Sequence, residues 1–426
     1  MQKIRKIIKR TALREIYSYL DDPEILVIIG PRQSGKTILL LEIQKYLIKK
    51  KRVAKENILF FNLDIITNLE LFASQKKFIN FIKERLSPKK RIFIMIDEVQ
   101  RIENPGLFIK GIYDLNLPVK FILTGSSSLE IKSKTEESLT GRKLVFHLYP
   151  FSFYEYLKSK DKVLARLSLG QNISEFSQKQ IMDYLSEYII YGGYPRPSLE
   201  INKQRKLKFL KEIYSSYIEK DVVGFLKIKE PLVFTKLVSV LAGQIGQLIN
   251  VKELSQTLKL NQRTIENYLN ILEQTFVIKK ITPFFSNLRK ELTKMPKLYF
   301  IDSGLRNLAI DSFQSFDSRP DKGALLENYI FSSLFTQQKN FVVHFWRTQA
   351  KSEVDFVLKY HDGKIVPIEV KAREMIKPEI SKSFRSFIKK YNPEKTFVVN
   401  LSYQDKMKIY KTEIEFILPF EIRNII

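Results

Sequence analysis

The chain has 426 residues, of which 44% are hydrophobic, and carries 72 Lys plus Arg against 46 Asp plus Glu, a formal charge of +26. At about 100–200 residues per domain this is room for two to four domains with ordinary cores, and the charge favours a polyanion, DNA before an anionic membrane surface, although its scatter also fits a coding bias toward Lys and Ile. The absence of Cys excludes a disulfide framework and a Cys-based zinc site, and the wide spacing of His147, His344 and His361 argues against a His-rich metal site.

In chain order, residues 1–20 are basic without the continuous apolar core of a signal peptide, and 11–20 read as a short amphipathic helix. Ile25–Ile29 and 92–96 are apolar runs too short to span a bilayer; they suit buried parallel strands. The expectation is a cytoplasmic protein with no membrane contact. Residues 30–36 read as a loop and 37–50 as a helix with Leu39, Leu40, Ile43 and Leu47 inward. Strands follow at 58–64, 91–96 and 119–123, with a helix at 78–86. This alternation indicates an α/β core, a parallel sheet covered on both faces. From 150 to 230 the pattern is helical (151–157, 178–191, 203–221), broken at Tyr191-Gly-Gly-Tyr-Pro195. Residues 231–315 hold three short helices and two strands, 311–322 look like a linker, and the last hundred residues are mixed helix and strand. The expected domains are 1–150, 151–230, 231–315 and 316–426.

Gly30-Pro31-Arg32-Gln33-Ser34-Gly35-Lys36-Thr37 fits G-x-x-x-x-G-K-[ST] at every fixed position, after a strand and before a helix. Backbone N–H groups at such a loop face phosphates, and the glycines permit close approach. Lys36 is expected to reach the β- and γ-phosphates of ATP and Thr37 to ligate Mg²⁺. The strand 92–96 delivers Asp97 and Glu98 to its C-terminal edge, where ligands of parallel sheets sit. Asp97 is the expected magnesium carboxylate and Glu98 the general base. The strand from Val119 ends in Thr124-Gly125-Ser126, where Thr124 or Ser126 could sense the γ-phosphate or serve as a helix cap. Arg142, after Thr140-Gly141, is an arginine-finger candidate, in cis or from a neighbouring subunit.

Residues 251–258, the turn 259–262 and 263–273 have helix–turn–helix spacing. Asn261, Gln262, Arg263, Asn267 and Asn270 are polar candidates for a DNA groove, with Arg263 and Asn267 one helical turn apart; packing or protein contact is the alternative. Further on, a helix at 323–337 carries Glu327, and strands are expected at 341–347, 353–360 and 364–371. Residues two apart on a strand share a face, so Glu369 and Lys371 point the same way, and a hairpin sets Asp355 near Glu369. Two carboxylates can hold magnesium, and a lysine can stabilise developing charge. A surface ion-pair ladder is the plain alternative.

Taken together, Gly30–Thr37, Ile96-Asp-Glu-Val-Gln100, Leu123-Thr-Gly-Ser-Ser127, Leu139-Thr-Gly-Arg142, Tyr149-Pro-Phe-Ser-Phe153, Gly192-Gly-Tyr-Pro195, Lys297-Leu-Tyr-Phe-Ile-Asp-Ser-Gly304, Glu353-Val-Asp-Phe356 and Pro367-Ile-Glu-Val-Lys371 resemble, in order, a group of bacterial and archaeal AAA+-superfamily ATPases. That group fuses its ATPase core to a C-terminal domain of formerly unknown function. The resemblance implies an AAA+ or STAND-like P-loop core, a winged-helix middle and a nuclease-like C-terminus. The last is similar to the PD-(D/E)XK restriction-endonuclease fold, with Asp355, Glu369 and Lys371 at its motif positions and Glu327 at its helical acidic position. Glu327, Asp355 and Glu369 would then be metal ligands. The expected function is ATP hydrolysis coupled to binding and processing of DNA. An ATP-dependent switch for a protein partner, with an inactive nuclease-like scaffold, is the alternative, and a homo-oligomer fits either.

Overall fold

A computed structural model describes residues 7–86, 90–125, 139–170, 173–217, 230–285, 295–337 and 340–425. The chain divides into two compact units, Met1–Phe151 and Ser152–Ile426.

The first unit runs α1 (Leu13–Ser18), β1 (Ile25–Ile29), α2 (Lys36–Lys49), β2 (Ile58–Asn62), α3 (Ile66–Phe72), α4 (Gln75–Lys83), β3 (Ile92–Asp97), α5 (Pro105–Tyr113), β4 (Val119–Gly125) and β5 (Lys143–His147). The strands form one sheet in the order β2-β3-β4-β1-β5, and every pairing in it is parallel. Helical crossovers cover both faces, so β1 and β3 are buried along their whole length, as their unbroken apolar runs foretell. Leu26 and Ile28 of β1 pack with Leu39, Leu40, Ile43 and Leu47 of α2. The sequence reading did not anticipate β5.

One polar residue interrupts this core from below. Lys120 of β4 is fully buried, and its ammonium donates to the Tyr19, Asp22 and Glu24 carbonyls at 2.7, 2.8 and 2.6 Å. Those three acceptors match the three donors of the ammonium and pin the segment that enters β1. Burial, and next the nearby Arg91, bring Lys120 down to about 8.

The second unit opens with helices α6 (Phe153–Lys160), α7 (Lys162–Leu167), α8 (Glu175–Tyr191), α9 (Pro195–Leu199) and α10 (Lys203–Tyr214). Of the helix expected at 203–221, residues 218–221 lie outside those described. Next come α11 (Pro231–Gly243), α12 (Val251–Leu258), α13 (Gln262–Gln274), the antiparallel hairpin β6 (Ile278–Ile281) and β7 (Lys297–Phe300), and α14 (Ser303–Ala309). The remainder is α15 (Lys322–Thr336), β8 (Phe341–Arg347), β9 (Glu353–Tyr360), β10 (Ile365–Val370), α16 (Lys382–Tyr391), β11 (Lys395–Val399), β12 (Asp405–Ile409) and β13 (Thr412–Ile417). Its sheet has the order β12-β13-β11-β10-β9-β8. β8, β9 and β10 form an antiparallel meander, and α16 crosses over to β11, which runs parallel to β10.

Asp302 explains two of the sequence motifs at once. Its carboxylate accepts from the Leu305 N–H at 3.0 Å, capping α14, and from the Gly193 N–H at 2.7 Å. Burial pushes Asp302 up to about 6, and the backbone N–H groups of Gly193, Leu305 and Gly304 oppose that rise. Asn307 donates to the Ile189 and Ile190 carbonyls at the end of α8. The tight fit needs glycine: a Cβ on Gly192 would overlap the Asp302 carboxylate, and Gly192 has φ 73° and ψ −174°.

The expected linker at 311–322 is instead fixed structure. Arg319 is buried and donates to the Ser312 carbonyl at 2.6 Å and to Asp321 at 2.7 Å. Arg306, also buried, donates to the same Asp321 at 2.6 Å and to the Ala242 carbonyl at 2.8 Å. Burial alone would raise Asp321, but the two guanidiniums hold it at about 2. The Ser-rich composition of this stretch concealed its arginine anchors.

Gly192→Ala is expected to destabilise the protein by about 2 kcal/mol or more, combining a Gly-only backbone conformation with a steric overlap. Chemical denaturation monitored by circular dichroism checks this; an unchanged midpoint would remove Gly192 from the fold's requirements.

Candidate functional site

The loop Gly30–Thr37 leaves the end of β1 and enters α2. Gly30 has no room for a side chain, since a Cβ would overlap the Leu148 carbonyl oxygen. Gly35 caps α2 with φ 99°, and Gln33 is left-handed at φ 59°. Pro31 and Ser34 are buried, Arg32 is half-buried and Gln33 is exposed. Lys36 is buried, and its ammonium donates to the Gly30 and Pro31 carbonyls at 3.0 Å each. Arg10 braces the loop from outside. It donates to the Ser34 carbonyl at 2.8 Å and the Tyr149 carbonyl at 2.6 Å, with its guanidinium 5.0 Å from the centre of the Phe151 ring.

Asp97 ends β3 and is 1% exposed. Its Oδ2 accepts from the Thr37 hydroxyl at 2.6 Å, and its Oδ1 accepts from the Thr124 hydroxyl. Strand order accounts for this: β4 lies between β3 and β1, so its last residues reach both strand ends. The adjoining Thr37 and Asp97 oxygens are the hard donors magnesium takes, so the residues fit that ion. Glu98 turns left-handed at φ 58° and ψ 48°, a strained position of the kind that clusters at functional sites. Its carboxylate accepts from the Gln100 amide at 2.5 Å.

Two expected members of this site fall elsewhere. Ser126 lies outside the described residues. Arg142 sits at the opposite edge of the sheet: its carbonyl accepts from Ile25 at the start of β1, and Lys143 pairs with Ile25. A five-residue strand separates it from the phosphate loop, roughly 13 Å of rise, and its guanidinium is paired with Asp114 at 2.9 Å.

On α13, Gln262, Arg263, Asn267 and Asn270 are exposed, as is Glu266, while Ile265, Tyr268, Leu269 and Leu272 are buried. Asn261 is spent on capping, accepting from the Thr264 N–H at 2.7 Å. Val251 and Leu258 of α12 are only half-buried, beside buried Leu254.

The C-terminal acidic residues converge, but not as an open metal cage. The β9–β10 register brings Ile368 opposite Phe356, which sets Glu369 across from Asp355. Asp355 Oδ2 accepts from the Val370 N–H at 2.7 Å. Lys371 Nζ lies 2.9 Å from Glu369 Oε1, and Glu369 Oε2 accepts from the Ser381 N–H at 3.3 Å. Burial first, and then the Glu327 carboxylate, push Asp355 well above the ordinary carboxylate range. Glu327 Oε1 accepts from Tyr299 at 2.5 Å and Lys297 at 3.2 Å. Burial works against the Lys297 charge, but Glu327, Glu353 and Asp355 outweigh it and hold its ammonium above the ordinary value. Among the described residues no group of three or more His, Cys, Asp or Glu is arranged to hold a metal ion. Protein donors engage all three expected ligands, Glu327, Asp355 and Glu369.

Residues 22–157 match the AAA domain family. This segment is similar to AAA domains and has the parallel sheet and Gly-rich loop of a P-loop core. Residues 322–421 match a domain of unknown function, DUF4143, and residues 182–315 another, DUF8612. An uncharacterized protein of Haemophilus influenzae is 28% identical over 367 residues, covering 84% of this chain and 84% of its own length. An uncharacterized protein of Methanocaldococcus jannaschii is 25% identical over 402 residues, covering 92% and 85%. Among solved structures, a Walker-type ATPase of Pyrococcus abyssi aligns with TM-score 0.44 at 15% identity, over 72% of this chain and 97% of its own. The ADP form of the Aeropyrum pernix ORC2 protein aligns with TM-score 0.35 at 13% identity, over 65% and 88%. No helix among the described residues is long and apolar enough to cross a membrane.

Sequence reasoning missed Arg10, Lys297, Tyr299 and Glu353. Nothing distinguishes Arg10 from the neighbouring Lys9 in one dimension. Lys297 and Tyr299 stood in a noted motif but were read only as part of a wing strand. In the AAA domain, Thr124→Val removes one of the two hydroxyls that orient Asp97. It is expected to slow ATP turnover about tenfold, about 1.4 kcal/mol of barrier, with nucleotide affinity changed less than turnover. Steady-state phosphate release alongside fluorescent-nucleotide titration checks it; wild-type turnover would confine Thr124 to packing.

Proposed function

We propose that this chain hydrolyses ATP at Gly30–Thr37 with magnesium and uses the cycle to act on DNA. The observation that carries the ATPase reading is the hydroxyl–carboxylate–hydroxyl chain Thr37–Asp97–Thr124 beside Lys36. Thr37 and Asp97 would hold the magnesium, which would supply neutralisation of the charge developing on the phosphates. Lys36 exchanges loop carbonyls for the β- and γ-phosphates. Glu98 orients a water and takes its proton as the oxygen attacks the γ-phosphorus and the bond to the β-phosphate oxygen breaks. ADP and phosphate are the products.

The DNA reading rests on α11–α13 followed by the β6–β7 hairpin, with Leu248 bridged to Lys297, an order that supports a winged-helix reading. Arg263 and Asn267 on exposed α13 would meet the duplex, and the +26 charge would supply non-specific attraction. The order helix, antiparallel meander, crossover helix and parallel strand supports a PD-(D/E)XK-like reading of the C-terminal part. A second reading is an ATP-dependent switch for a protein partner or second copy. Glu266, exposed beside Arg263 and Asn267, favours it, because a carboxylate opposes a phosphate backbone.

Glu98→Gln is expected to keep ATP binding and lose at least tenfold in turnover, about 1.4 kcal/mol or more of barrier; turnover at the wild-type rate would remove Glu98 as the base. Lys36→Ala should lose nucleotide binding or turnover outright. For DNA, one duplex and one salt series are compared for wild type and an Arg263→Ala, Asn267→Ala double variant. Weaker binding is expected, with the salt slope reduced by about one unit for a lost phosphate contact. Equal affinities and slopes would favour the partner-switch reading.

A further inference from the structure

Four carboxylates meet where α15, β9 and β10 adjoin: Glu327, Glu353, Asp355 and Glu369. In a nuclease-like centre such oxygens hold a divalent cation that activates water. Here a positive charge of the chain itself lies among them. Lys297, the first residue of β7, has a side chain only 3% exposed, and its ammonium lies 3.2 Å from Glu327 Oε1 and 2.5 Å from Glu353 Oε1. The Tyr299 hydroxyl, two residues along the same strand, donates to the same Glu327 oxygen at 2.5 Å. The remaining groups are also engaged: Glu353 with Arg347 at 2.9 Å, Glu369 with Lys371 at 2.9 Å, and Asp355 with the Val370 N–H at 2.7 Å.

We propose that Lys297 is a built-in cation standing in for a divalent metal, so that the C-terminal part as folded neither takes up metal nor cleaves DNA. The proposal rests on the nuclease-like reading of this fold. Two considerations carry it. An ion among these carboxylates would have to sit about 2.0–2.6 Å from their oxygens, where the Lys297 ammonium now contacts Glu327 and Glu353. Displacing that ammonium would break two ion pairs and leave a buried charge without a partner, which is strongly unfavourable. The same pairs fasten the β6–β7 hairpin to β9 and α15. The acidic set therefore serves as an anchor for the hairpin.

The test titrates nucleotide-free, full-length protein with MnCl₂ by calorimetry and records melting temperature in EDTA and in millimolar Mn²⁺. Wild type, Lys297→Met, Glu369→Gln and the Lys297→Met, Glu369→Gln double variant are compared. Wild type is expected to show no Glu369-dependent Mn²⁺ binding and no Asp355-dependent cleavage of linear or branched DNA. Lys297→Met is expected to melt lower in EDTA, gain one Glu369-dependent Mn²⁺ site, and recover roughly 5 °C in Mn²⁺. Where Lys297→Met fails to fold in EDTA, recovery of folded protein in Mn²⁺ supports the proposal and failure in both overturns it. Mn²⁺ binding by wild type that Glu369→Gln abolishes, or cleavage that Asp355→Ala abolishes, overturns the role of Lys297 and leaves the nuclease-like reading standing. A folded Lys297→Met that stays silent to Mn²⁺ overturns both.

Discussion

Asp97 is a carboxylate at the end of an otherwise apolar, fully buried strand. Such a group is tolerated only with hydrogen-bond partners, and neither Asp97 oxygen meets its side-chain partner on its own strand. One hydroxyl comes from α2 through Thr37 and the other from β4 through Thr124. Satisfying Asp97 thus requires α2 to start at one place and β4 to lie between β3 and β1. The parallel order of the sheet supplies both conditions. Lys120 does the corresponding work at the opposite end of β4, where three carbonyls fix the entry to β1. The phosphate loop is held from both sides of this framework, by Leu148 against Gly30 and by Arg10 on the Ser34 carbonyl.

The second unit relies on buried charge in a different way. Asp302 joins the end of α8 to the start of α14, and Asp321 gathers Arg306 and Arg319. Each network spans elements far apart in sequence. Breaking one member of such a set leaves an uncompensated charge and costs more than the pair contributes net. These sets therefore specify which elements meet more than they add to stability.

The parallel core was legible because its signals are local. An apolar run, a Gly-rich loop and an amphipathic helix are adjacent in the chain, and Asp97 and Glu98 sit at the end of a second such run. The β9–β10 hairpin and the exposure of Arg263 and Asn267 were legible for the same reason, through period-two and helical spacing. β5 was not, because the strand 143–147 is only half-buried and lacks a continuous apolar run. The position of Arg142 was not legible because its neighbours in sequence say nothing about which end of β5 faces the loop; only the parallel pairing with β1 does. The 311–322 strap was hidden because Ser and Pro content marks loops, whereas order there comes from buried arginines, Arg319 paired within the stretch and Arg306 reaching Asp321 from α14. Lys297 was missed because a lysine at a strand start normally reads as solvated, and its carboxylate partners lie on α15 and β9.

Two buried lysines, placed near carboxylates by the same chain, now stand in contrast. Lys36 donates to neutral carbonyls of its own loop, and Asp97 is answered by neutral hydroxyls. A highly charged polyphosphate can exchange those contacts for charge-assisted ones, which are roughly twice as strong, so the loop is poised to favour an anionic ligand. Lys297 already has charge-assisted contacts, made with carboxylates inside the fold. An incoming cation would have to replace an ammonium that is fully paired and buried, and nothing in its surroundings rewards that exchange. Lys36 keeps contacts with its own loop that a polyphosphate can exchange, whereas the Lys297 ammonium is tied to two carboxylates inside the fold.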